Sequence, residues 1–324
     1  MKKLALTMGD PGGVGPEIIV KALSSAETRK YCDPIVIGDR VVMEEALKLC
    51  NLPLKLTSIK SPEESDPSPD SIELIDTGKI ETFKKGIATA EGGRACVSYI
   101  RKAVEFALNK QVDGIVTAPI SKEALKMAGF TWPGHTEMIA EFTNTQDYAM
   151  MLVGGLLRVI LVTIHTSLRS VPDLITKERV LKTIHLAKKA CDMMDIQNPR
   201  IAVAGLNPHA GEAGIFGNEE TKEIKPAIDE AVKSGLSVTG PYPPDTIFHK
   251  AYKGGIDIIV CMYHDQGLIP LKMIAFDKGV NVTVGLPVIR TSPDHGTAYD
   301  IAWKGKADPS SMIEAIKFAS RLRI

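Results

Sequence analysis

The sequence predicts an α/β fold with a largely parallel sheet, and three observations carry that prediction. Short apolar runs rich in Ile and Val recur along the chain, as at residues 34–37 (PIVI), 112–116 (VDGIV) and 258–260 (IIV). Helical apolar spacing fills stretches between them, as with Ala95, Tyr99, Val104 and Leu108 in residues 91–108. The runs end in loops punctuated by glycine and proline. Strand and helix in alternation imply parallel strands joined by crossovers, with helices on both faces of the sheet.

Residues 3–8 form the first predicted strand. It runs into GDPGGVGPE, and a helix begins over residues 17–23, with Pro16 suited to its first turn. A strand, a glycine-rich turn and a helix N-terminus can hold an anion, or the glycines can serve only a tight turn; the nucleotide fingerprints GxGxxG and GxxxxGK[ST] are absent. A strand at 34–37, a helix at 41–49, a polar loop with three prolines at 61–71 and a strand at 72–75 follow. The helix at 91–108 leads to the strand at 112–116, and Ser121 is placed to cap a helix over 122–127. GFTWPG (129–134) breaks the rhythm and marks the start of a second domain. A helix from His135, strands at 150–153 and 157–165, an amphipathic helix at 177–194, a strand at 200–205 and a helix at 219–233 come next. Residues 238–244 read as a proline-rich turn, and residues 257–300 as a strand opening a long polar, glycine-punctuated region. A last helix over 311–322 packs back on the first domain. The expected division is therefore residues 1–130 plus 301–324 for the first domain and 131–300 for the second.

Composition excludes several classes. Lys+Arg and Asp+Glu both number 39, so no net charge draws the 324-residue chain to nucleic acid or to an anionic membrane. Five cysteines without a CxxC pair argue against a disulfide framework and for a reducing, cytoplasmic setting. The most apolar region, residues 149–162, is broken by Gly154, Gly155 and Arg158, so no membrane span is expected.

Three histidines hold equivalent places, each at or just past the end of a predicted strand: His165 after LRVILVTI, His209 after RIAVAGLNP and His264 after DIIVCMY. Parallel strand ends cluster at one sheet edge, where three imidazoles suit a divalent metal; a hydrogen-bonded structural role is the alternative for each. His135 and Thr136 open a helix, where anions are favoured. Lys272, Asn281 and Arg290 add two cations and an amide, so the group reads as a phosphate or carboxylate clamp, or as surface charges around a turn. Asp245 and Asp265 can serve as a base or as partners of a histidine, and Asp245 equally as a helix cap. GxSxG is absent, and nothing favours a nucleophilic mechanism.

These residues lie in motifs that resemble those of the 4-hydroxythreonine-4-phosphate dehydrogenase family of vitamin B6 biosynthesis. The motifs are TMGDPGGVGPE (7–17), TAPISKEAL (117–125), PGHTE (133–137), GLNPHAGE (205–212), PPDT (243–246), MYHDQG (262–267), GVNVTVGLP (279–287) and IRTSPDHGTA (289–298), in order and over nearly the whole chain. The resemblance implies a two-domain, isocitrate/isopropylmalate-dehydrogenase-like fold of α/β/α layers with its site in the interdomain cleft. It implies one divalent ion (Zn, Mg, Co or Mn) on His165, His209 and His264, and substrate positions at His135, Thr136, Lys272, Asn281 and Arg290. It implies a homodimer whose sites combine residues of both subunits. DHGTAYDIAWKGKADP is similar to the HGSAPDIAGKG cofactor loop of that fold, which places Asp294, His295, Gly296, Thr297 and Asp300 near the adenosine of NAD or NADP. Asp245, Asp265 and Lys272 are the candidate catalytic bases.

Within the family, LIPLKMIAF (268–276) and TAYDIAWKGKA (297–307) look more like the paralogous group acting on D-threonate or D-erythronate 4-phosphate. The implied reaction is oxidation of a small 4-phosphorylated hydroxy acid at C3, then decarboxylation, giving dihydroxyacetone phosphate from that substrate. The vitamin B6 precursor, 4-hydroxythreonine 4-phosphate, stands as the alternative. A non-catalytic metabolite-binding protein and a metal-dependent hydrolase or aldolase are the readings from other classes.

Overall fold

A computed structural model describes every residue except Lys79 and Glu81. The chain forms two compact units, the first from Met1–Gln146 and Leu286–Leu322 with Ile324, the second from Asp147–Gly285 with Arg323. The first unit begins with β1 (Lys2–Thr7), α1 (Gly15–Ser24), β2 (Cys32–Gly38), α2 (Arg40–Leu49), β3 (Lys55–Ser58), β4 (Ser71–Asp76), α3 (Ala90–Leu108), β5 (Gly114–Thr117), α4 (Lys122–Met127) and α5 (His135–Phe142). The second holds β6 (Ala149–Gly154), β7 (Leu157–Leu161), α6 (Val171–Leu174), α7 (Lys177–Met193), β8 (Ile201–Ala204), α8 (Lys225–Lys233), β9 (Val238–Tyr242), α9 (Pro244–Tyr252), β10 (Ile258–Cys261), α10 (His264–Ala275) and β11 (Val280–Val284). The chain then returns to the first unit with β12 (Arg290–Pro293) and α11 (Ser310–Arg321).

In the first unit the strands run in the order β3-β4-β2-β1-β5-β12, and each neighbouring pair is parallel. Successive side chains of a strand point to opposite faces. Leu4, Ala5 and Leu6 of β1 are all fully buried, so both faces are covered. One helical group is α3 with α4 and α5, the other α1 with α2 and α11. Ser121 caps α4 as its sequence position implies, its hydroxyl accepting from the Ala124 N–H at 3.1 Å. The terminal helix α11 packs on β5 and β12 of this unit, as expected.

The second unit orders its strands β11-β6-β7-β10-β8-β9. The pairs β11–β6 and β6–β7 are antiparallel, whereas β7–β10, β10–β8 and β8–β9 are parallel. Gly155 (φ +59°) supplies the left-handed residue of the two-residue turn joining β6 to β7. One apolar core joins Leu152, Val159, Ala202 and Ile259 of the strands to Ile247 of α9 and Leu268 and Leu271 of α10.

The structure departs from the sequence reading most clearly in the following places. The units divide after Gln146 and Gly285, not after residues 130 and 300. The physical cause is that α5 packs against α3, and β12 pairs with β5, so both belong to the first core. Residues 238–244 hold a strand, β9, in which Pro241 is tolerated because β9 lies at the sheet edge. The short exposed strand β3, with little apolar signal, is an addition. Finally, residues 264–275 are helical, with Pro270 inside the helix, although glycine and proline there read as a loop. Gly267 is what lets that helix close on the sheet: a Cβ there would lie 3.0 Å from Leu161 and 3.2 Å from Val159. Among the described residues, no helix is long and apolar enough to cross a membrane.

Candidate active site

The three strand-end histidines fall on three adjacent parallel strands of the second unit. His165 follows β7, His264 follows β10 and His209 follows β8, and β10 lies between the other two. Local hydrogen bonds tie these ends together. The Thr163 hydroxyl donates to the Met262 carbonyl at 2.7 Å, linking β7 to β10. The buried Gln266 side chain accepts from the Met262 N–H at 2.7 Å and donates to the Gly205 carbonyl at 2.8 Å, linking β10 to β8. The rings of His165 and His264 stand 5.7 Å apart by their centroids. They line a cavity of about 360 Å³ with Tyr263, Asp265, Ser167, Leu168 and Val171.

His264 opens α10, and its Nδ1 is 2.7 Å from Asp265 Oδ1. That contact engages Nδ1 and leaves Nε2 on the far side of the ring. His209 lies one strand beyond His264 on an exposed left-handed turn, its ring 6.2 Å from that of Phe216. Among the described residues, no three His, Cys, Asp or Glu side chains of one chain gather closely enough to hold a metal ion. The strand-end placement of the histidines thus holds, but their convergence within one chain does not.

Three other expected residues occupy the second unit. Lys272 is half-buried on α10 with its Nζ 5.9 Å from the Phe276 ring. Asn281 lies on β11, and its buried Oδ1 has no hydrogen-bond partner. Asp245 is exposed in the first turn of α9, after Pro243 at the cap position, so it is not the cap.

The first unit brings together His135, Thr136 and Arg290. Gly134 precedes α5 without a side-chain cap, and the N-terminus of α5 carries the positive end of the helix dipole. Arg290, at the start of β12, is 2 % exposed, and its Nη2 donates to the Thr117 hydroxyl at 2.7 Å. Burial pulls its pKa down, with the charge of Glu137 opposing that, yet a guanidinium stays charged at neutral pH. Burial also holds His135 well below the ordinary imidazole range, and the Arg290 charge acts in the same direction. His135 bonds to the Ala118 backbone, while its buried Nε2 has no partner. The neutral ring therefore presents Nε2 as an acceptor beside a buried cation.

Residues 294–303 follow β12 and rest on the glycine-rich turn. The Val14 N–H donates to the Thr297 carbonyl at 3.0 Å, Trp303 Nε1 to the Pro11 carbonyl at 2.9 Å, and the Tyr299 hydroxyl to Asp10 Oδ2 at 2.7 Å. Asp10 also accepts from the Gly12 N–H at 2.8 Å, and burial raises its pKa. A Cβ on Gly12 would lie 2.6 Å from the Ile87 carbonyl oxygen, and one on Gly13 3.0 Å from Thr297. Gly12 and Gly13 thus allow close packing against neighbouring chain segments, and neither has the positive φ that the tight-turn alternative supposed; within this stretch Gly9 alone does. Asp294 is half-buried, while His295, Gly296 and Asp300 are exposed, and nothing lies within 4 Å of where a Gly296 side chain would begin.

Two residues of this region escaped sequence reasoning. Gln266 is inside the MYHDQG motif, but a glutamine carries no titration or metal signal. Glu220, which falls inside the helix expected at 219–233, is 3 % exposed and accepts from the N–H groups of Leu206 and Asn207 at 2.8 and 2.7 Å. An acid pair shortly after GLNPHAGE was the only available hint.

The fold and these groups define an α/β enzyme. A family profile described as "Pyridoxal phosphate biosynthetic protein PdxA" matches residues 30–319. A Trichlorobacter lovleyi protein named 4-hydroxythreonine-4-phosphate dehydrogenase is 50% identical, over 99% of this chain and 97% of its own. An Oceanobacillus iheyensis protein, provisionally named D-threonate 4-phosphate dehydrogenase, is 47% identical over 98% of this chain and 97% of its own. The crystal structure of a 4-hydroxythreonine-4-phosphate dehydrogenase from Klebsiella pneumoniae superposes with a TM-score of 0.91 at 44% identity, covering 98% of both chains. The chain belongs to the PdxA family. A β-decarboxylating dehydrogenase from Thermococcus kodakarensis, at 14% identity and a TM-score of 0.51, covering 99% of this chain and 82% of that one, shares the fold alone.

Proposed function

We propose that the chain is a metal-dependent, NAD(P)-linked dehydrogenase that oxidises a 4-phosphorylated 3-hydroxy acid at C3, with decarboxylation of the resulting 3-keto acid. The preferred substrate in this reading is D-threonate or D-erythronate 4-phosphate, giving dihydroxyacetone phosphate and CO₂. The observation that carries the reaction class is the set of three histidines at adjoining parallel strand ends in a chain whose relatives are named dehydrogenases. The substrate preference rests on LIPLKMIAF and TAYDIAWKGKA.

The donor set fits a metal. Two imidazoles with centroids 5.7 Å apart, one oriented by a carboxylate, can share an ion at ordinary metal–nitrogen distances of about 2.0–2.1 Å. His209 stands apart on its own turn, so a three-histidine site needs residues from two copies of the chain. An unpartnered apolar face supports such a homodimer: Ile269, Met273 and Ile274 of α10 and the adjoining Phe276 are 59%, 82%, 44% and 73% exposed. The nicotinamide cofactor is placed along residues 294–300, whose exposed Gly296 leaves room for close approach. When bound, the metal supplies Lewis acidity toward the substrate's oxygens and the nicotinamide accepts the hydride.

The chain's own residues bind and orient. Arg290, the α5 N-terminus and Thr136 hold the phosphate, and that remote binding energy positions C3. His135 Nε2 accepts a hydrogen bond from an O–H group of the ligand. Asn281 offers its buried, unpartnered amide oxygen to a substrate hydroxyl. Asp265 orients His264, which leaves Asp245 and Lys272 as candidates for the base.

A second reading, 4-hydroxythreonine 4-phosphate as substrate in pyridoxal phosphate biosynthesis, is favoured by the family's description and by the name of the Trichlorobacter relative. The deciding experiment is a side-by-side turnover assay of 4-hydroxythreonine, D-threonate and D-erythronate 4-phosphates with NAD and NADP and added divalent metal, followed by reduced-nicotinamide absorbance. A higher kcat/KM for the sugar-acid phosphates supports the first reading, and the reverse order supports the second. No cofactor reduction with any of the three would overturn the dehydrogenase assignment.

A further inference from the structure

The turn that presents His209 holds an unusual backbone. His209 (φ 53°), Ala210 (φ 53°), Gly211 (φ 79°), Glu212 (φ 40°) and Ala213 (φ 55°) are left-handed in succession. Only one of them is glycine, and an L residue in this region crowds its Cβ against backbone oxygen. Such runs persist where surrounding structure over-determines them, and they concentrate at functional sites. The His209 imidazole is exposed, so its direction is only as well defined as the turn beneath it.

One buried carboxylate supplies that definition. Glu220 Oε1 accepts from the N–H groups of Leu206 and Asn207, at 2.8 and 2.7 Å, where the chain leaves β8. Its Oε2 accepts from Asn207 Nδ2 at 2.9 Å, and the same amide nitrogen donates to Glu219 Oε2 at 2.7 Å. Gly211 lies against the same carboxylate, so that a Cβ there would come within 2.7 Å of Oε2. Glu220 opens a π-turn (Glu220–Ile224) ahead of α8, a feature that recurs at functional sites. All of these contacts go to the segment carrying His209 and none to the apolar core.

We infer that Glu220 is a positioning residue for His209: its carboxylate clamps residues 206–207 and packs under Gly211, fixing the left-handed turn in the form that aims the imidazole at a metal ion. The inference rests on the proposed reading of His209 as a metal ligand. It predicts that Glu220 acts on metal affinity through His209 and through nothing else.

The test measures cobalt(II) and zinc(II) binding by calorimetry on metal-stripped, full-length protein. The proteins are the wild type, Glu220→Gln, His209→Ala, the double variant and Asn207→Ala, each with a thermal melt. Glu220→Gln should weaken the metal by roughly 10–100-fold, as loss of a supporting contact does. The double variant should bind no worse than His209→Ala alone, because the two substitutions remove the same interaction. A merely structural Glu220 would lower the melting temperature with the metal Kd unchanged; that outcome overturns the inference and leaves His209 as a ligand. Wild-type binding by His209→Ala would instead overturn the ligand assignment, and the inference with it. Should Glu220→Gln fail to fold, Asn207→Ala keeps the carboxylate and decides the matter, since weaker metal binding supports the clamp and unchanged binding refutes it.

Discussion

Replacing Arg290 with methionine should separate stability from function, because the two respond in opposite directions. The guanidinium is 2 % exposed at the start of β12 and gives one N–H to the Thr117 hydroxyl. Taking a charge out of water costs several kcal/mol, so an apolar side chain of similar length is expected to leave stability unchanged or higher. Recognition of a phosphate should suffer instead. A hydrogen bond to a charged group contributes about 1.5–3 kcal/mol, so two N–H groups facing a phosphate amount to at least about 3 kcal/mol, roughly two orders of magnitude in kcat/KM. The assay compares kcat/KM for a phosphorylated substrate and its unphosphorylated analogue in wild type and Arg290→Met, beside urea denaturation. The expected result is unchanged or higher stability with the preference for the phosphorylated substrate reduced about 100-fold or more. An unchanged preference would refute the phosphate role, and a large loss of stability would show that Arg290 serves the fold.

Three further expectations follow from the same structure. Gln266→Leu strands the Met262 N–H and the Gly205 carbonyl, each worth about 1–3 kcal/mol when buried without a partner; urea denaturation should show a loss of at least about 2 kcal/mol, and a loss below about 0.5 kcal/mol would contradict the bridge between β10 and β8. His135 has its pKa depressed by burial and by Arg290, so its contribution to stability is complete above the unfolded value of about 6.5 and declines as pH falls toward the folded value. His135→Gln should therefore flatten the fall in unfolding free energy between about pH 6.5 and pH 5.5 by up to about 1.4 kcal/mol, and an identical slope in both proteins would show that the imidazole is not held neutral. Met273→Glu places a charge on the most exposed residue of the α10 apolar face, and sedimentation should then find a single-chain species where the wild type sediments as a dimer. A wild type that sediments as one chain at micromolar concentration would remove the dimer from the proposal.

The sequence by itself determined the architecture's grammar and the inventory of chemical groups. Branched apolar runs such as Ile258–Cys261 can be buried on both faces only in a covered sheet, and Ser121 before an amphipathic run can cap its helix, because each signal is local. The strand-end histidines were legible for the same reason, since each follows its strand within a few residues. The eight ordered motifs pointed to a family that the similarity over 99% of the chain bears out. What the tertiary structure alone decided depends on contacts between distant segments. Whether α5 belongs to the first unit or the second is set by its packing on α3, and residues 264–275 coil into a helix because Gly267 lets them approach β7, against what glycine and proline signal locally. Glu220 and Gln266 are ordinary polar residues until Leu206, Asn207, Met262 and Gly205 are brought to them. Burial, too, is a property of the folded chain: it turns His135 into a neutral acceptor and Arg290 into an enclosed cation, because removal from water, not residue type, sets the cost of charge.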